Sequence, residues 1–342
     1  MYFSKFSILV LAGIALSSCR SEQPVLENPA REARLQVRNA HALAYDLARD
    51  RIVLFGGAND SLVCSDTWEW HNGRWQRKAQ TGPPARTFPA MCADPVNGGA
   101  LLFGGNRVLF GTEDLRDTFL NDFWRWDGQN WHEISGMGPA ARAEASMVFD
   151  TERNRLVLFG GYNRERDRVN RLRDTWEWDG EKWQLVSDTG PAPQSGATMI
   201  YDEKRAAIVL FGQNSERTAG EVWQWSGNNW KMLPEGSGSR RYNAAIAYAP
   251  EHGYALRFGG WNGEARTNDS WIFDETGWRL LAAEGPSARN HSAMVYDNKN
   301  RRFVLFGGHD GERVFGDMWA FESETWHQLR ASVPKLRIEN GH

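Results

Sequence analysis

Short alternating apolar runs and short continuous ones follow one another along the chain, separated by turn signals. The unit they form is plainest after Arg142. Arg142 to Asp150 alternates small and larger apolar residues (Ala145, Met147, Phe149), the period of a strand packed between neighbours. Thr151-Glu152-Arg153-Asn154 reads as a turn, and Arg155 to Phe159 as a buried strand. Gly160-Gly161 then frees the backbone to leave the sheet sharply. Asp174-Thr175-Trp176-Glu177-Trp178 alternates again and puts both tryptophans on one face, where Trp176 is expected to wedge between neighbouring units. Asp179-Gly180 is a hairpin signal, and Trp183 lies on the returning strand. The unit predicts four antiparallel strands.

It recurs six times. The glycine doublets are Gly56-Gly57, Gly104-Gly105, Gly160-Gly161, Gly259-Gly260 and Gly307-Gly308, with Gly212-Gln213 as the one departure. The closing tryptophans Trp75, Trp131, Trp183, Trp230, Trp278 and Trp326 are spaced by 56, 52, 47, 48 and 48 residues, the period of propeller blades. The predicted fold is therefore all-β, a six-bladed β-propeller over residues 38–331 with four antiparallel strands per blade. The blades fall at about 38–82, 83–138, 139–190, 191–237, 238–285 and 286–331, and residues 332–342 form a C-terminal tail. Sixteen of the seventeen tryptophans occupy repeat positions, which makes them core; each can bury about 200 Å².

The doublet, the strand opening Asp-x-Trp, the closing Trp and the following Pro-x-x-Arg (Pro83–Arg86, Pro139–Arg142, Pro286–Arg289) resemble the kelch repeat family over residues 38 to about 331. The resemblance implies a ligand surface on the rim where first strands start and second strands end. It does not extend to galactose oxidase. His291 and His309 share the rim with Tyr162 and Tyr242, yet Cys92 is expected at the other end of its strand and no copper-ligand domain follows. No metal and no cofactor is expected.

Ahead of the repeats, Lys5 and the apolar run Ile8 to Leu16 form a signal peptide over residues 1–18, too short to span a bilayer. Leu16-Ser17-Ser18-Cys19 resembles the bacterial lipobox, which implies lipidation of Cys19; Arg20 after it implies an outer-membrane or periplasmic destination rather than the inner membrane. Residues 19–37, with Pro24 and Pro29, read as a tether. Export favours disulfides, but Cys64 and Cys92 fall at opposite strand ends and are expected free, with Cys92 buried. A net charge of -3 and pI near 6.3 give no global attraction to nucleic acid, so membrane contact is expected through the anchor alone.

Residues common to the blades read as scaffold. These are the arginines Arg38, Arg86, Arg142, Arg241 and Arg289 and the acids Asp66, Asp122, Asp174, Glu221, Asp269 and Asp317, as blade-to-blade or turn-anchoring ion pairs. Function needs asymmetry, and asymmetry gathers on the rim. Trp261 is the one tryptophan off the pattern, and an exposed indole marks contact with a sugar ring or a partner. The expected ligand-binding set is Trp261, Tyr162, Arg166, His309, His291, Asn106, Tyr242 and Asn243. Loop arginines Arg107, Arg166, Arg217, Arg266 and Arg313 would either ring an anionic ligand or pair with their own loop acids. Glu144 is the catalytic candidate, with Glu113 and Asp114 beside it as rim acids. No Gly-x-Ser-x-Gly, His-Glu-x-x-His or Cys-x-x-Cys motif occurs.

Three readings stand at this point. The first is a lipid-anchored propeller that binds a protein partner or glycan, anionic or sugar-like, at the rim without catalysis. The second is a carbohydrate-modifying enzyme of the sialic-acid mutarotase type, with Glu144 as its acid. The third is a structural subunit of the cell envelope.

Overall fold

Asn72-Gly73 shows how local rules build a blade: both residues have positive φ (49° and 78°), the backbone of a two-residue hairpin whose twist matches its flanking strands. The turn joins Thr67–His71 to Arg74–Arg77, and with Ala42–Asp46 and Arg51–Phe55 these make one antiparallel sheet in chain order. Five further sheets repeat the order, so six four-stranded blades are present. A two-stranded hairpin, Tyr162–Glu165 with Arg168–Arg171, is added on the blade 3 rim. The computed structural model describes residues 34–79, 81–108, 118–165, 168–281 and 284–331. The expected signal peptide, Cys19, Glu113, Asp114, Arg166 and the C-terminal tail lie outside these.

The first strands (Ala42–Asp46, Ala90–Ala93, Ser146–Asp150, Thr198–Asp202, Ala245–Ala249, Ala293–Asp297) contact one another in sequence around the axis, and the last contacts the first. Backbone bonds close the ring. Gly308 N–H donates to Arg38 O at 3.0 Å and Arg38 N–H to Phe315 O at 3.0 Å. The same pair joins blades 1–2, 2–3, 3–4 and 5–6, as in Gly57 to Arg86 (2.8 Å) and Arg86 to Cys64 (3.1 Å). This approach explains the first glycine of the doublet, since a Cβ on Gly56 would stand 2.7 Å from Arg86 O of the next blade, and a Cβ on Gly57 would stand 2.6 Å from Asn39 O of its own. The packed body also begins earlier than the repeat suggests: Leu35 is buried in the cluster that joins Ile52 and Leu54 of blade 1 to Val304 and Phe306 of blade 6.

The repeated arginines anchor turns within blades and do not cross between them. Arg86 holds Asp122 through both Nη atoms (2.7 and 2.6 Å) and also donates to Gly104 O at 2.8 Å. Arg38–Asp66, Arg142–Asp174 and Arg289–Asp317 repeat the geometry, and Arg241 holds Asp269 by one bond. Burial pushes the carboxyls of Asp66, Asp122 and Asp174 upward, but the arginine bonds outweigh it and hold them below 3.8.

Between blades the tryptophans alternate in role. Closing Trp131, Trp230 and Trp326 each donate to a hydroxyl of the preceding blade, on Thr67, Thr175 and Ser270, at 2.8–2.9 Å. At the intervening junctions that position is Phe123, Val222 or Met318; Trp183 meets Phe123 edge-on, and Trp278 and Trp75 pack on the clusters that hold Val222 and Met318. The ring is thus three pairs of blades as much as six single ones. Trp126 and Trp225, fully buried, reach across to Glu69 and Glu177 at 3.1 and 2.9 Å. Trp176 differs from expectation: it is half-buried, and its Nε1 stays on Asp174 of its own blade.

Candidate functional site

Two residues after each repeat arginine, and after Gln194 in blade 4, the chain turns back at the axis. Ala40, Phe88, Glu144, Gly196, Asn243 and His291 all have φ between 49° and 67°. Each N–H donates to the carbonyl of its counterpart in the preceding blade, at 2.7–3.2 Å, and Ala40 to His291 O completes the circle. Left-handed backbone is unfavourable for residues such as Phe and Glu, and such strain persists where surrounding structure imposes it, commonly at functional sites. The backbone circle is a diaphragm. On one side lies an axial cavity of about 430 Å³ along the first strands; on the other is a rim cavity of about 640 Å³ over blades 5, 6, 1 and 2. Phe88, Asn243 and His291 line both.

The side chains of the diaphragm form one polar chain. Asn243 Nδ2 lies 3.5 Å from Glu144 Oε1 and 2.7 Å from His291 Nε2. His291 Nδ1 lies 2.9 Å from His309 Nε2, with the two rings stacked. If Asn243 donates to His291, the imidazole proton sits on Nδ1 and is donated on to His309. Gly196 makes room for this, because a Cβ there would come 2.3 Å from Asn243 Oδ1. Phe88 meets His291 edge-on at 4.9 Å.

Burial dominates the electrostatics. The side chains of His291 and Glu144 are only 8 % and 9 % exposed. Burial, then the neighbouring His309 and Arg266, lowers His291 far below 6.5; burial and Arg266 lower His309 as well. Both imidazoles are neutral at pH 7. Burial raises the Glu144 carboxyl, opposed by hydrogen bonds from Ser195 and Asn243 and by the charge of Arg171. The cluster therefore joins a buried carboxyl, its pKa raised, to two neutral bases.

Five expected site residues, Trp261, Tyr242, Asn243, His291 and His309, meet at the rim cavity. Trp261 is half-buried rather than fully exposed, paired with Tyr242 in a β-bridge, and the Arg266 guanidinium stands 5.4 Å over its ring. Arg266 Nε also donates to Asn290 Oδ1 at 3.0 Å. Tyr162 lies outside this cavity, edge-on to Phe119 and close enough to Glu144 to feel its charge. Asn106 belongs to the wall: it is 4 % exposed and its Oδ1 accepts from Val108 N–H. The loop arginines do not form a ring of equals. Arg266 and Arg313 border the cavity, and Arg313 is held by Asp310 of its own loop at 2.9 Å. Asn290 was not singled out from the sequence, although it carried the same signal as Tyr242, a polar residue directly after the repeat arginine; Arg171 stood out only as one of the arginines crowding the blade 3 loop. Among the described residues no three His, Cys, Asp or Glu side chains are placed to share a metal ion.

No protein-family model matches the chain. Among curated proteins it is similar to an F-box/kelch-repeat protein of Arabidopsis thaliana, 28% identical over 51% of this chain and 38% of that one. It is also similar to dynein regulatory complex subunit 7 of Chlamydomonas reinhardtii, 32% identical over 32% of this chain and 10% of that one. The flagellar outer-arm dynein alpha chain of the same organism matches at 28% identity over 46% of this chain and 4% of its own length. Each match thus spans less than two fifths of the relative. The solved structure of YjhT superposes with a TM-score of 0.62 at 13% identity, covering 87% of this chain and 99% of that one. The chain is a kelch-repeat six-bladed β-propeller. The likeness to YjhT is one of fold, the ring of four-stranded blades.

Proposed function

We propose that this propeller binds a protein partner or glycan, anionic or sugar-like, in the rim cavity and does not turn it over. The observation that supports this is the convergence of Trp261, Tyr242, Arg266 and His309 on one cavity of about 640 Å³ in an otherwise repetitive ring. An aromatic ring beside a guanidinium suits a sugar face next to a carboxylate or similar anion. A glycan and metabolite binding screen on residues 31–342 is the test. Trp261→Ala is expected to weaken the best ligand at least about tenfold while leaving the melting curve nearly unchanged. Undiminished affinity in that variant would move the site to another surface.

A second reading is a carbohydrate-modifying enzyme of the sialic-acid mutarotase type. The buried Glu144 beside Asn243 and His291 favours it, as an acid with a raised pKa facing neutral bases is suited to proton transfer. Ligands found in the screen, followed by NMR for chemical or anomeric change, separate the two: conversion lost in Glu144→Gln supports the enzyme. A role as an envelope assembly subunit draws on the exposed Leu185, Met232 and Leu280, which occupy one register on the outer strands of blades 3, 4 and 5.

In the same proposal the chain is exported and held at the outer membrane or periplasmic side through a lipid on Cys19. Cys19→Ser is expected to release the protein into the soluble fraction after carbonate washing; retention in the membrane would exclude this anchor.

A further inference from the structure

One position before the phenylalanine of each second strand, five blades carry Leu54, Leu102, Leu158, Leu210 and Leu305; blade 5 carries Arg257. Arg257 is 6 % exposed. Its guanidinium lies 4.1 Å from the Trp278 ring centroid and 5.5 Å from that of Trp271, and its Nε has no hydrogen-bond partner. Burial first, and then the charge of Arg241, push its pKa down to about 9, with Asp269 opposing. Arg241 spends one Nη on Asp269, and its own Nε is unpartnered. Two buried cations therefore share one acid.

The junction between blades 4 and 5 is unusual in other ways. Gln194 stands where other blades have the anchoring arginine, and its amide folds back to Ala192 O and accepts from Gln213 N–H. Gln213 N–H consequently does not reach the Arg241 carbonyl, and the backbone pair found at the other five junctions is missing. Arg240 spans the gap instead, donating to Arg217 O and Asn262 O. At this junction lies a void of about 10 Å³ lined by Gly196, Thr198, Phe211, Gly212, Arg241 and Arg257, among others.

We propose that this void is a binding site for one chloride-sized anion, held between Arg241 and Arg257 and bridging blades 4 and 5. A buried charge requires compensation, and among the described residues the only charges acting on Arg257 are Arg241 and Asp269. The void is small, and it suits a monatomic anion rather than phosphate or sulfate. A water would fill the space and leave the excess positive charge in place. The site is separate from the rim cavity and does not depend on what the rim binds.

The test is thermal melting at constant ionic strength with gluconate, which is too large for the void, replaced by chloride or bromide. The melting temperature is expected to rise saturably by about 2–4 °C with either halide. Arg257→Leu installs the residue of the other five blades and is expected to fold and to lose the halide response. Crystals soaked in bromide are expected to show an anomalous peak between Arg241 and Arg257. Equal melting in chloride and gluconate, a halide response that survives in Arg257→Leu, or bromide absent from the void overturns the proposal. Should Arg257→Leu not fold, the bromide peak in the unaltered protein decides.

Discussion

Trp225→Ala is expected to lower stability by about 3–5 kcal/mol, as truncation of a large, fully buried side chain does. Trp225 is 0 % exposed, tilts against Trp230 at 5.3 Å and donates to Glu177 of the neighbouring blade. Its loss opens a cavity and removes a donor from a carboxylate that is itself buried, so packing and polar terms act in the same direction. Trp176→Ala is the matched control. Trp176 is half-buried and its Nε1 bond stays within its own blade, so about 1–2 kcal/mol is expected. Urea midpoints of the two variants check this. Equal losses would mean that the tryptophans stabilise blades singly rather than the contacts between them.

Much of this architecture is written in short-range pattern. Alternation places the first and third strands, the glycine doublets mark sharp exits whose backbone approach tolerates no side chain, and the Asp-Gly and Asn-Gly turns fix the outer hairpins. The arginine and acid series could be recognised as scaffold because it recurs, although the sequence left open whether the pairs cross between blades. The two-blade alternation was also present, as Thr67, Phe123, Thr175, Val222, Ser270 and Met318. It has no meaning until the indole N–H of the next blade is placed beside it. The diaphragm was illegible for a different reason. Its left-handed backbone is imposed by six blades meeting at one axis, and of Ala40, Phe88, Glu144, Gly196, Asn243 and His291 only the glycine, the asparagine and the histidine are of types that favour that conformation. Irregularity at the rim pointed to Glu144, Asn243, His291 and His309 separately; their union into one chain depends on ring closure, a long-range property. Asn106 stands apart from that chain because the position after a doublet lines the rim cavity in some blades, as at Trp261 and His309, and is buried away from it in blade 2.

Arg86→Met is expected to destabilise the protein by about 3–5 kcal/mol at pH 7, because it leaves the Asp122 carboxylate without its partner in a mostly buried site. The pH dependence of that loss is the sharper result. In the unaltered protein the Asp122 carboxyl is held below 3.8 by the Arg86 bonds, against the effect of burial. A depressed carboxyl contributes stability above its unfolded pKa, and that contribution disappears as pH falls through the folded value. Without Arg86, burial is opposed only by the hydrogen bonds from Trp124 and the backbone, and the balance moves toward the protonated form, so the variant gains relative to the parent as acid neutralises Asp122. The difference in urea midpoint between the two proteins should therefore narrow as pH drops from 7 through 4. Asp66 and Asp174, still paired, would weaken both proteins alike over the same range and cancel in the comparison. The neutral, buried His291 and His309 act in the same sense below 6.5 and cancel too. A deficit that stays constant with pH would mean that Arg86 acts through packing and its bond to Gly104 O rather than through the charge of Asp122.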